Sequence, residues 1–366
     1  MTDATGPNGN IEVRTGLVVE DYDSLGGPAT SLSRRQALGA GMAGAGLAGA
    51  GMGGAMAGLG MASGASAATP DLNKRIENAS LTGPYLDLTT PEGNMIAMAR
   101  IDSDIDMKTT TYGWYDGLVM GVAPGGPVKN ICGFKGMSCK RLIPYEEGTG
   151  YRKLLREVGF YYDLATGEIL EEMVNPYTDE KVRVVHVAND PFNGIIRDVV
   201  PPGPSYGGLN AEKREPKPFL LDWQIKDEWL LFQRHIHLYY KNALDPEKWV
   251  RESAGPMNRV SELFYHVHSL DQVQNEELTH VYGTGTWARI TPWLPWMLMG
   301  QAPGHVVYQT FMGSRHSLDD IPQDIVEYTA KNYPKYLEAP DVWEEPSLSS
   351  IERYSREQEP ALPGGV

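Results

Sequence analysis

The chain has 366 residues, 22% of them charged, and a formal net charge of −15. Without a cluster of Lys and Arg to offset it, this acidity argues against nucleic acid or an anionic membrane surface as a partner, since both need a basic footprint. A hydrophobic content of 41% suffices for a sizeable core, so the expected partner is a neutral or apolar molecule.

The N-terminus reads as an address. Ser33-Arg34-Arg35-Gln36-Ala37-Leu38 resembles the twin-arginine export motif, and no charged residue follows between Gln36 and Pro70. That run is rich in Gly, Ala and Met, which suits a twin-arginine signal better than a permanent spanning helix. Ala65-Ser66-Ala67 is a small-residue cleavage site. Residues 1–67 are therefore expected to be a removed signal region and 68–366 a single β-rich domain. The reading implies contact with the export machinery and a periplasmic location. Removal takes Arg14, Arg34 and Arg35 against five acids (Asp3, Glu12, Glu20, Asp21 and Asp23), so the mature chain stays acidic.

The mature chain opens on a short helix near Pro70–Ile76 and a helix or strand at Asn94–Arg100. Thr109–Val122 has strand composition, with turn chemistry at Tyr115-Asp116-Gly117 dividing it into a pair. Cys132 and Cys139 are the only cysteines. Gly133-Phe134-Lys135-Gly136 between them could turn a hairpin and join them in a disulfide, the alternative being two buried thiols. Gly159–Asp190 reads as an antiparallel meander. Its strands are Gly159–Leu164, Ile169–Val174 and Val182–Val187, and turns fall at Ala165–Glu168 and Asn175–Thr178. A long loop follows at Pro201–Gly208, then strands at Phe219–Ile225, Glu228–Tyr240 and Ser261–Ser269. Asp245–Ser253 is expected to be a short helix capped by Asp245 with Pro246 at its first position. From about residue 317 the pattern becomes helical, at Ile321–Asn332 after Asp319 and Asp320, and again at Pro346–Gln358. Many short strands predict a mainly β fold, an antiparallel barrel-like (lipocalin-like) sheet with a few peripheral and C-terminal helices.

NPYT at Asn175–Thr178, HVANDP at His186–Pro191, DPEKWVRES at Asp245–Ser253 and WARITPWLPWMLMG at Trp287–Gly300 resemble the bacterial domain-of-unknown-function family 1838. The resemblance covers most of the mature chain and implies export. It assigns no activity and no catalytic residues.

Three constellations carry candidate chemistry. His186, Asn189 and Asp190 sit at a strand end, where His186 could shuttle a proton with Asp190 beside it. Tyr177 could donate one and Arg289 could stabilise negative charge. Trp287, Trp293 and Trp296, with Trp114, offer flat apolar surface for a hydrophobic or aromatic ligand, with Asn175 and Asn189 as polar anchors. The alternatives for that stretch are a packed crossing or a homo-oligomer interface. His235-Ile236-His237 and His266-Val267-His268 each place two imidazoles on one strand face, and four could meet on a transition metal if the strands pair in register. No Gly-x-Ser-x-Gly elbow, phosphate loop or dinucleotide fingerprint occurs, and Gly283-Thr284-Gly285 is too short to count. The leading expectation is a lyase- or isomerase-type acid–base enzyme needing no cofactor. The alternatives are a hydrophobic-ligand binding protein and a metal-dependent enzyme.

Overall fold

Alternating β-branched and aromatic residues favour strands over helices in this chain, which a computed structural model describes over residues 80–200, 217–345 and 347–362. The export motif, the apolar run, the cleavage site, Pro70–Ile76 and the Pro201–Gly208 loop lie outside the described residues. The elements are α1 (Pro91–Asp102), β1 (Thr111–Val122), β2 (Lys129–Pro144), β3 (Tyr151–Tyr162), β4 (Glu172–Val174), β5 (Lys181–Arg183), β6 (Val187–Asn189) and β7 (Gly194–Ile196). After the undescribed loop come β8 (Gln224–Lys226), β9 (Trp229–Lys241), β10 (Met257–Ser269), α2 (Leu270–Val273), β11 (Gly283–Thr291), β12 (His305–Arg315), α3 (Gln323–Asn332) and α4 (Ser350–Glu357). Short 3-10 turns lie at Pro295–Met297 and Pro334–Leu337.

Ten strands form one sheet in the order β6-β3-β2-β1-β12-β11-β10-β9-β8, with β7 also on β3, and every pairing is antiparallel. Among the described residues no ladder joins the two ends. β4 and β5 form a separate small hairpin.

The period of two gives each long strand an inner and an outer face. On β2 and β3 the outer face carries Met137, Val158 and Phe160, which pack with Ile325 and Tyr336 beneath α3 and the turn after it. The Lys135 Nζ–Asp324 Oδ2 contact at 2.6 Å ties α3 to that face. On the inner face, α1 covers Leu142, Leu230 and Phe232 at one end of the sheet. Each such fully buried side chain contributes about 1.5–3 kcal/mol. The Trp-Pro stretch after β11 packs with Phe134, Tyr161 and Tyr308 at the other end.

Helix α1 starts where its sequence dictates. Thr90 is the N-cap, its hydroxyl accepting from Gly93 N at 3.1 Å, with Pro91 at the first helical position. Asn94 then fastens the helix to the chain before β8, its Oδ1 accepting from Leu221 N and Trp223 Nε1 at 2.8 and 2.7 Å. The buried Arg100 guanidinium donates to three carbonyls, those of Gln272, Val273 and Asn275. At the end of α1, Asp102 meets Lys140 and Lys153 at 2.9 and 2.5 Å. Burial alone would raise its carboxyl, but the two ammonium groups reverse this and hold it far below the usual range.

Several expected boundaries move. The expected pair at Thr109–Val122 is a single strand, Thr111–Val122, because Gly117 is a close approach and not a turn: a Cβ there would sit 2.1 Å from the Gln309 carbonyl oxygen. Lys129–Pro144 is likewise unbroken. Cys132 and Cys139 are therefore free and buried, seven residues apart along one extended strand, or roughly 23 Å at ~3.3 Å per residue. The meander keeps its turn at Gly167 (φ 76°), but its later strands shrink to β4, β5 and β6, with His186 in the link between the last two. Asp245–Ser253 forms successive turns, with Trp249 N donating to Asp245 O at 2.7 Å, and no helix. Helix α4 begins later than expected, on a capping box made by Ser349 and Glu352.

Candidate active site

Between the α1 end and the Trp-Pro end, the inner face surrounds a cavity of about 270 Å³. Residues of β1, β2, β3, β6, β9, β10, β11 and β12 line it, together with the Trp-Pro stretch and α4. Strands that are remote in sheet order thus face one another across it.

Aromatic rings make its walls. Tyr115 stacks on Phe134 at 5.3 Å, and Trp287 lies within 6.5 Å of Tyr115, Phe134, Phe264 and Tyr308. The Tyr115 hydroxyl is committed, donating to Val158 O at 2.7 Å. Tyr161 and Tyr308 instead bond each other, hydroxyl to hydroxyl, at 2.7 Å. One O–H···O contact uses one proton, so the accepting hydroxyl keeps its own proton for a further partner. Burial pushes the Tyr161 phenol up to about 12 and that of Tyr308 well above its ordinary value, so both stay neutral donors.

The polar centre is Glu157 on β3, facing Glu262 and Arg289 on β10 and β11. Arg289 Nη1 lies 3.4 Å from Glu262 Oε1 across the ladder that pairs the two residues. Asn189 Nδ2 lies 3.1 Å from Glu157 Oε1. Burial pushes the Glu157 carboxyl up to about 7, the Glu262 charge adds to this, and Asn189, Arg289 and Lys153 oppose it. A carboxyl near neutrality, facing a guanidinium, can both accept and return a proton.

The residues singled out from the sequence divide. Arg289, Trp287, Trp293, Trp296, Asn189 and His186 line the cavity. His186 Nδ1 accepts from Tyr161 N at 3.2 Å, and burial lowers its proton affinity, so its chain-facing nitrogen is already engaged. The other four are placed elsewhere. Tyr177 packs behind Trp293 at 4.9 Å, with its hydroxyl against Gly121. Asp190 is held by Arg156 at 3.1 Å and Lys335 at 2.8 Å, a structural pairing at the end of β6. Asn175 bonds Met297 O at 2.7 Å and so anchors the Trp-Pro stretch without lining the cavity. Trp114 falls on the outer face, against Gly313, because its neighbour Tyr115 takes the inner one.

The four imidazoles do not converge. His235 and His237 sit on the exposed outer face of β9, whereas His266 and His268 point inward. The β9–β10 register sets His266 opposite Phe232, and its ring stacks on Phe232 at 4.3 Å. Burial holds His266 well below its ordinary value and His268 down to about 4. Among the described residues, no three His, Cys, Asp or Glu side chains are grouped to hold a metal ion.

Sequence reading missed Glu157, Tyr161 and Tyr308, and it raised Glu262 only as a further ligand for a metal held by the His-x-His pairs. The available signal was a carboxylate inside an aromatic strand, as in Arg156-Glu157-Val158-Gly159-Phe160-Tyr161. Such a charge either faces water or is buried with a purpose.

No curated protein matches the chain. The family described as protein of unknown function (DUF1838) matches residues 107–358, which span β1 to the end of α4 and contain every cavity-lining residue. The chain belongs to that family.

Proposed function

We propose that the cavity is the active site of an acid–base enzyme acting on a hydrophobic, flat small molecule, and that the sheet encloses it as an open, barrel-like wall. The observation carrying this reading is Glu157: a buried carboxyl with a midpoint near neutrality, held by Asn189 and facing the Glu262–Arg289 pair. In the proposed step, ionised Glu157 takes a proton from a carbon next to a carbonyl group. The C–H electron pair moves into the carbonyl, and Arg289 with the free phenol proton of the Tyr161–Tyr308 pair stabilises the oxygen. Return of the proton to another carbon completes an isomerisation, and loss of a β-leaving group completes an elimination. His186, with one ring nitrogen engaged, serves to position Tyr161. The twin-arginine-like motif supports export of the folded protein to the periplasm, and loss of export on Arg34→Lys with Arg35→Lys would test that assignment.

Incubation with a panel of aromatic and alicyclic ketones in D2O, followed by NMR, tests the chemistry. The expected result is deuterium incorporation next to the carbonyl, reduced at least 100-fold in Glu157→Gln, while ligand quenching of tryptophan fluorescence persists. Quenching without any incorporation or product would favour a binding protein, a reading that the aromatic walls also support.

A further inference from the structure

The charge balance of the cavity walls points to the kind of molecule that fits them, and this inference rests on the reading of the cavity as a small-molecule site. Four carboxylates line it (Glu157, Glu252, Glu262 and Glu357) against two guanidinium groups, Arg289 and Arg353. Arg289 is paired with Glu262, and Arg353 donates to Pro191 O at 3.1 Å. The most unusual of the acids is Glu252, only 3% exposed, between β9 and β10 and beneath α4. Its Oε1 accepts from Ala361 N at 2.5 Å, while its buried Oε2 has no hydrogen-bond partner. A buried carboxylate oxygen without a partner is costly to fold around and calls for a donor that arrives from outside the chain.

The walls supply the complement. Tyr115, Tyr161, Trp287, Trp296 and Phe264 line the interior, and an organic cation over an aromatic face gains ring attraction in addition to the neutralising charge of a carboxylate. The protein's net charge of −15 attracts the same species from solution. An anionic ligand would instead meet surplus carboxylates in a low-dielectric space.

We propose that the cavity's cognate ligand is an aromatic or alicyclic amine, bound as its ammonium form with Glu252 taking the N–H donor and the rings enclosing the apolar body. A reacting carbonyl end at Glu157 and Arg289 is compatible with this, because the two groups occupy different parts of the cavity wall.

Three near-isosteric probes separate the outcomes: 2-phenylethylamine, neutral 2-phenylethanol and anionic phenylacetate, each titrated at pH 7 against the tryptophan fluorescence of the intact protein. The amine is expected to bind at least tenfold tighter than the alcohol and to show the largest margin over the acid. Glu252→Gln is expected to remove most of the margin over the alcohol, because it weakens amine binding far more than alcohol binding. Equal binding of amine and alcohol, or tighter binding of the acid, would overturn the cation assignment and leave the cavity reading standing. No response to any probe would overturn both. Because the comparison among probes is made on the wild-type protein, it does not depend on the variant folding.

Discussion

Glu157 combines burial with a neighbour of like charge, and both act on stability as well as chemistry. Its carboxyl rises from 4.5 in the unfolded chain to about 7 in the folded one. Between those values the folded state keeps a proton that the unfolded state has lost, so the contribution of this residue to stability falls as pH increases through the window. Full ionisation costs about 3 kcal/mol at ~1.4 kcal/mol per pKa unit. Glu157→Gln keeps the shape and an oxygen for Asn189 but cannot ionise. Urea unfolding at pH 4 and pH 8 is therefore expected to show the variant gaining on the wild type by up to about 3 kcal/mol on moving to the higher pH. An unchanged difference between the two proteins at both pH values would contradict the assignment. Glu252, in the turns before β10, and Glu157, within β3, were hidden in the sequence for the same reason: a single carboxylate has no pattern, and only its surroundings give it a role.

At the level of elements, the sequence was most legible where local chemistry decides the outcome. The turn expected at Ala165–Glu168 is there with Gly167 at positive φ, and helices stand within Ile321–Asn332 and Pro346–Gln358. It was least legible where glycine served packing. Gly117 and the Gly133–Gly136 stretch imitate turns, yet both lie inside strands, where Gly136 leaves room for Tyr115 on the inner face and Gly133 for Tyr162 on the outer one. The unbroken β2 has a direct chemical consequence. With Cys132 and Cys139 held far apart, buried, and their thiols pushed up to about 12, neither can form the pairing that a hairpin would have allowed. Thiol titration of protein purified without reductant should count no reactive thiols in the native state and two after unfolding in guanidinium. Zero after unfolding would show that the cysteines are joined and that β2 is not one strand. The His-x-His pairs teach the same lesson about register: each pair shares a face as expected, but which face each strand turns inward is set by Phe232 and Leu230 packing under α1.

For the molecule as a whole, composition and strand content conveyed a mainly β protein, and four short motifs conveyed the family. Sheet order was not legible, because it depends on which strands bury which faces together across long loops. That order is what makes the site. β3 and β10 are separated in the sheet by β2, β1, β12 and β11, yet Glu157 and Glu262 interact across the interior. Titration of Glu157 in the intact protein, followed by carboxyl infrared difference spectroscopy against Glu157→Gln, tests this arrangement most directly. The account predicts a midpoint near 7 that falls in Glu262→Gln while staying above the ordinary glutamate range, since burial remains when the neighbouring charge is gone. A midpoint in the ordinary range, unmoved by Glu262→Gln, would show that the two carboxylates do not share a buried cavity and would contradict the proposed active site.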